Sequence, residues 1–237
     1  NLKFAATQLS GRMNYLSSAL TPVWARVNQY NQSTGEYRYK NDHQSYDLFA
    51  DGPFTLFGRE HELLFGASHR REHMYWHGGP QIPATNVDPY NFDTGAAAKP
   101  TNIDLSSISD DSREKQTGTY ATSRFSLTDA TKLIVGARLD WYENEVNSTS
   151  FGSVSEAQYS VVRNVTRYAG LTHDLDKYHT VYVSYTDIFK PQNYRGPNGS
   201  ILEPVVGSNY EVGIKGSYFN DTLTASAALF RIDQENR

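Results

Sequence analysis

Polar and apolar residues alternate along most of this chain, and the period is two. The clearest stretch is 207–230. Tyr210, Val212, Ile214 and Tyr218 fall on one side, and Asn209, Glu211, Lys215 and Ser217 on the other. A period of two puts successive side chains on opposite faces of a strand. Asn220-Asp221 supplies a turn, and Leu223, Ala225, Ala227 and Leu229 mark one face of the return strand. The alternation recurs at Tyr46, Leu48, Ala50 and Phe54, and at Leu63, Phe65 and Ala67. It is equally clean at Leu133, Val135, Ala137, Leu139 and Trp141, and present at Val181, Val183 and Tyr185. It weakens over 158–173, where Arg163 and Arg167 interrupt the apolar side, and is least legible over 1–36.

The connections alternate in length. Those near 56–60, 128–131, 174–177 and 219–222 read as short turns. Residues 78–112, 147–157 and 190–206, rich in Gly, Pro, Ser and Asn, read as longer loops. All short turns therefore lie at one end of the sheet. The pattern predicts an all-β, antiparallel up-and-down meander of about nine or ten strands. Several patterned stretches exceed the roughly 10 residues of a tilted membrane-spanning strand, whereas globular strands average about 5 to 6. We therefore read residues 1–237 as part of one β-barrel domain, a partial transmembrane β-barrel. A passive substrate-selective porin and a soluble secreted β-rich binding module are the alternatives that the pattern leaves open.

Composition supports an interface protein. Tyr (17), Phe (11) and Trp (3) are plentiful in the 237 residues, and these amphipathic rings suit boundaries between apolar and wet surroundings. No apolar run approaches the roughly 18 residues of a membrane helix, which leaves a strand-built barrel untouched. The net charge of -4 and scattered Lys and Arg exclude a nucleic-acid footprint. There is no cysteine, so no disulfide staples the fold. Asn1 and Arg237 both lie in patterned sequence, so a section of a longer protein is expected.

Chemistry-bearing residues are few. His69, His73 and His77 are spaced by four, but on a strand they stand roughly 13 Å apart and cannot share an ion. No metal site and no catalytic group is expected. Gly-x-Ser-x-Gly, P-loop and His-Glu-x-x-His motifs are all missing. Asp110-Asp111 and Glu143/Glu145 read as solvated rim carboxylates. The aromatic residues at the long-loop end carry two readings, a ligand-binding surface and a membrane-interface girdle. Trp141 shares the face of Leu139 and reads as girdle; Trp76 fits both.

Several segments resemble TonB-dependent ferric-siderophore receptors of the ferripyoverdine and ferric-hydroxamate type. They include Gly58-Arg59-Glu60-His61-Glu62-Leu63 and Tyr120-Ala121-Thr122-Ser123-Arg124-Phe125-Ser126-Leu127-Thr128-Asp129. The most specific is Gly207-Ser208-Asn209-Tyr210-Glu211-Val212-Gly213-Ile214-Lys215-Gly216. The resemblance spans about 45–237 and implies the central part of a plugged barrel of roughly 22 strands in the bacterial outer membrane. It implies binding and TonB-dependent import of a ferric siderophore, with TonB reached through a plug domain that has no counterpart here. Outer-membrane lipid is the other partner. Iron enters only inside the siderophore, and no cofactor is expected. Candidate siderophore contacts at the extracellular loops are Tyr75, Trp76, His77, Tyr90, Phe92, Tyr142, Tyr194 and Arg195. Candidate lumen- or plug-facing residues are Arg124, Arg138, Asp140, Glu211 and Lys215.

Overall fold

The structure, a computed structural model, describes residues 1–23, 29–91, 103–192, 194, 196–197, 202–220 and 222–236, with backbone alone over 81–87. Nine strands follow in chain order: β1 (Leu2–Pro22), β2 (Tyr30–Leu56), β3 (Arg59–Val87), β4 (Ile108–Ser126), β5 (Thr131–Ser150), β6 (Ser153–Asp174), β7 (His179–Lys190), β8 (Val205–Tyr218) and β9 (Leu223–Glu235). They form one antiparallel sheet in sequential order, β1 to β9, with β1 and β9 as its edges. A three-residue 3-10 turn at Pro89–Asn91 is the only helix among the described residues.

The sheet is a single layer, and its burial follows from that. No side chain among the described residues is fully buried, and most of the buried ones are polar: Gln32, Thr34, His61, Asp140 and Asn144. A β-sandwich would bury one face against a second sheet. Here the apolar face stays open, with Leu48, Phe65, Val183, Val212 and Leu229 all at least half or nearly half exposed. Register aligns them into a belt: Ala50 opposes Phe65, Phe65 opposes Ala121, Ala121 opposes Ala137, and Val183 opposes Val212. Tyr46, Trp141, Tyr185 and Tyr210 border the belt toward the long-connection end. An apolar belt edged by aromatic rings is the surface a barrel wall offers to lipid.

The short turns sit where the alternation placed them. Phe57-Gly58 turns β2 into β3 with both residues at positive φ (50° and 72°). That geometry matches the right-handed twist of the strands. The opposite end differs from the sequence expectation. The supposed loop 78–112 is strand at both of its ends, since β3 continues to Val87 and β4 begins at Ile108. The supposed loop 147–157 is a tight hairpin turning at Phe151-Gly152 (φ 48° and 84°). Tyr75, Trp76, His77, Tyr142 and Asp110-Asp111 thus lie in strands. The reason is that β2 to β6 run for 19 to 29 residues. About 9 to 11 suffice to cross a bilayer, so the rest projects beyond it, where neither face must be apolar and the alternation fades.

His61 locks the other end. It is 5% exposed, between the rings of Phe54 and Phe125 at 5.2 and 5.4 Å. The Ser126 N–H donates to its Nδ1 (3.0 Å), so Nε2 carries the hydrogen and donates to the Leu56 carbonyl (3.0 Å). One ring therefore ties the β2–β3 turn to the end of β4. His61→Ala leaves both backbone groups without their partner and should cost about 1–3 kcal/mol. We expect a lower unfolding temperature for the intact barrel, with His61→Gln recovering part of it. An unchanged temperature for the alanine variant would refute the tie.

Candidate functional site

The second face is polar, and register orders it into tiers. At the long-connection end Met13, Tyr39, Trp76, Asp110 and Ser148 stand directly opposite one another across β1 to β5. One step further out Tyr15 opposes Tyr37, which opposes Gly78. The rings form a continuous group. Trp76 stacks on Tyr39 (5.6 Å, 17°) and meets Tyr37 edge-on (6.2 Å), while Tyr15 stacks on both tyrosines (5.4 and 5.7 Å). The Tyr39 and Tyr15 hydroxyls lie 3.5 Å apart; that bond, with burial adding to it, pushes Tyr39 up to about 12. Asp110 accepts from the Ser148 hydroxyl at 2.8 Å. Flat rings beside a carboxylate and hydroxyls suit noncovalent capture of a ligand carrying a flat polar group.

Further down, the polar face is a network of charged and hydroxyl groups. Glu72 accepts from Asn41 at 3.0 Å and lies 3.7 Å from His43. Arg70 pairs with Glu114. Arg138 donates from Nε to both oxygens of Asp140 at 2.9 Å, and Gln116 donates to the same carboxylate at 3.0 Å. The Arg138 guanidinium also reaches Ser68 on β3 at 2.9 Å, passing over Gly118 on β4. A Cβ on Gly118 would collide with that guanidinium and sit 2.6 Å from an Asp140 oxygen, so only glycine leaves the crossing open. Tyr120 crosses Gly66 in the same manner to reach Asp47 at 2.6 Å.

The sequence-derived candidates separate on this frame. Arg124, Arg138, Asp140, Glu211 and Lys215 all lie on the polar face; Lys215 sits over the Tyr182 ring, whose hydroxyl donates to Glu211. Of the six loop candidates within the described residues, Trp76 alone joins the aromatic tier. Tyr75 and His77 stack on each other on the opposite face (5.4 Å). Tyr142 is buried three steps below the tier, against Glu114 and Asn144, rather than at a strand end. Tyr90 and Tyr194 are exposed (84% and 70%) in the connections after β3 and β7. Phe92 and Arg195 lie outside the described residues. Sequence reasoning missed Tyr15, Tyr37 and Tyr39. The alternation of Tyr37 with Tyr39 was a usable signal, but only register shows that it faces Trp76.

The whole chain, 1–237, matches the family model described as "TonB dependent receptor-like, beta-barrel". It is similar to the ferric-pyoverdine 358 receptor of Pseudomonas putida, at 36% identity over 206 residues, 86% of this chain and 25% of that protein. It is also similar to the ferripyoverdine receptor of Pseudomonas aeruginosa, at 37% identity over 209 residues, 85% of this chain and 24% of that protein. The solved structure of the Pseudomonas aeruginosa PAO1 receptor FpvA bound to pyoverdine aligns with TM-score 0.77 at 29% identity, over 100% of this chain and 34% of that one. The chain spans about a quarter of the length of these curated relatives.

Proposed function

Since the chain belongs to the TonB dependent receptor-like β-barrel family, we propose that it forms wall strands of a receptor that imports a ferric siderophore across the bacterial outer membrane. The observation that carries this reading is the aromatic tier. It lies on the polar side of a wall whose other side is apolar, at the end where the strands outrun the bilayer. The siderophore, with its iron already coordinated, binds against Tyr15, Tyr37, Tyr39 and Trp76. Tyr90 and Tyr194 in the adjoining connections add contact from above. Arg124, Arg138, Asp140, Glu211 and Lys215 face the lumen and engage a plug domain, through which TonB delivers the energy for release. Nothing in this cycle makes or breaks a bond in the siderophore.

The test is uptake of a panel of iron-labelled siderophores by cells carrying the intact receptor. At least one should accumulate against its gradient, and deletion of TonB should abolish accumulation while leaving surface binding. Uptake that persists without TonB and only equilibrates would establish a passive porin instead.

A further inference from the structure

The chain holds 2 methionines and no cysteine, so its only sulfur is in thioethers. Methionine is an ordinary filler of apolar surfaces. Neither residue serves that purpose here. Met13 lies directly opposite Tyr39 across β1 and β2, in the row of Trp76 and Asp110. Met74 precedes Trp76 by two residues on β3 and so shares its face, one row nearer the bilayer, opposite Asn41 and Ser112. Both thioethers therefore stand on the wet side of the wall, beside the aromatic tier. They differ in access: Met13 is 53% exposed, whereas Met74 is partly buried. A further strand pairing with the free edge of β1 would cover its backbone and leave this face open, because side chains stand perpendicular to a sheet. Directly opposite residues on one face have Cβ atoms about 4.5–5.5 Å apart, which puts the Met13 sulfur within reach of the Tyr39 ring.

We propose that Met13 is a site of reversible oxidation by peroxide, and that its sulfoxide weakens siderophore capture at the tier. The inference rests on the tier being the binding surface and adds a control on it. In the reaction a sulfur lone pair attacks one peroxide oxygen. The S–O bond forms as the O–O bond breaks. The departing hydroxide takes the proton from the transferred oxygen and leaves as water. Sulfur gives up an electron pair, and peroxide accepts it. The product replaces a flexible apolar group with a polar, chiral one. Its oxygen is a strong acceptor placed opposite Tyr39. The Tyr39 hydroxyl is held only loosely, 3.5 Å from that of Tyr15, and with its pKa pushed up to about 12 it keeps its proton at neutral pH. It turns to donate to the sulfoxide, and its ring leaves the stack on Trp76. Met74, lower and less exposed, oxidises more slowly. Sulfoxide reductases restore the thioether, so the loss is reversible.

The experiment treats the intact receptor, in mild detergent, with increasing hydrogen peroxide. Peptide mass spectrometry follows the added oxygen, and the iron-labelled siderophore selected by the uptake panel is the binding probe. Met13 should oxidise ahead of Met74. Siderophore affinity should then fall roughly tenfold, the upper end of what a thioether–ring contact is worth. Methionine sulfoxide reductase should restore both the mass and the affinity. Met13→Leu, whatever its own starting affinity, should show no change on peroxide treatment, while Met74→Leu should remain sensitive. Two readouts need no siderophore and keep the proposal separate from the transport reading. One is the mass of the Met13 peptide. The other is the fluorescence of Trp76, taken as the difference between the receptor and Trp76→Phe, which should change on oxidation and recover on reduction. Failure of every siderophore to bind the untreated receptor would sink the transport reading, and with it the capture half of this proposal. Equal loss of affinity in Met13→Leu overturns the proposal. So does a Met13 that stays unoxidised at doses that convert Met74, and so does an oxidised Met13 with affinity and fluorescence unchanged.

Discussion

Trp76→Ala in the intact receptor should weaken ferric-siderophore binding by roughly 30-fold or more, while the amount of folded receptor in the membrane stays unchanged. Trp76 is the ring that links the tier. It stacks on Tyr39, meets Tyr37 edge-on, and stands opposite Asp110 on β4. Truncating a central aromatic anchor at a binding surface typically costs about 2 kcal/mol or more, which is about 30-fold in affinity. Structural damage should be small, because the side chain lies beyond the membrane belt. Tyr75→Ala is the matched control. It removes an aromatic side chain one residue away in sequence, but from the outward face, where Tyr75 stacks on His77. Its siderophore affinity should match that of the parent. Direct binding on purified receptor gives the answer. If Tyr75→Ala and Trp76→Ala weaken binding equally, the face assignment of β3 fails. If neither does, the tier is not the binding surface.

The difference between these neighbours shows what was readable in the sequence and what was not. The lower halves of the strands were legible because lipid imposes a rule on one face. Leu133, Val135, Ala137 and Leu139 had to alternate with Gly136, Arg138 and Asp140, and the period of two followed. Above Trp141 that rule lapses. Glu143, Glu145 and Asn147 face outward while Tyr142, Asn144 and Val146 face inward, with polar residues on both sides. The stretch from 147 to 157 accordingly reads as loop, although it is strand on both sides of a two-residue turn. Phe151-Gly152 hid that turn, because the usual signal for such a hairpin is Asn-Gly or Asp-Gly. The same lapse concealed β1 and the start of β2, and with them Tyr15, Tyr37 and Tyr39. The polar-face charges were easier. Arg138, Asp140, Glu211 and Lys215 sit inside the lipid-level halves, where knowing one face defines the other.

Asp140→Ala should be the most damaging single change in the wall. Asp140 is 3% exposed and accepts from Arg138 Nε with both oxygens and from Gln116 with one. Removing it strands a guanidinium and an amide in a site that solvent scarcely reaches. Breaking a buried ion pair from one side costs about 3–5 kcal/mol. The Arg138 side chain is 30% exposed and keeps its bond to Ser68, so about 2–3 kcal/mol is the fitting expectation here. The unfolding temperature of the intact receptor should drop, and unheated samples should show less of the compact, fast-migrating form on gels. The double variant Arg138→Ala/Asp140→Ala removes the stranded charge as well. It should be no less stable than Asp140→Ala alone, because the damage lies in leaving one partner behind. Strict additivity of the two single substitutions would mean that the residues do not act as a pair. An unchanged unfolding temperature in Asp140→Ala would mean that the network spanning β3 to β5 holds nothing together, and that the wall is held by its backbone ladder alone.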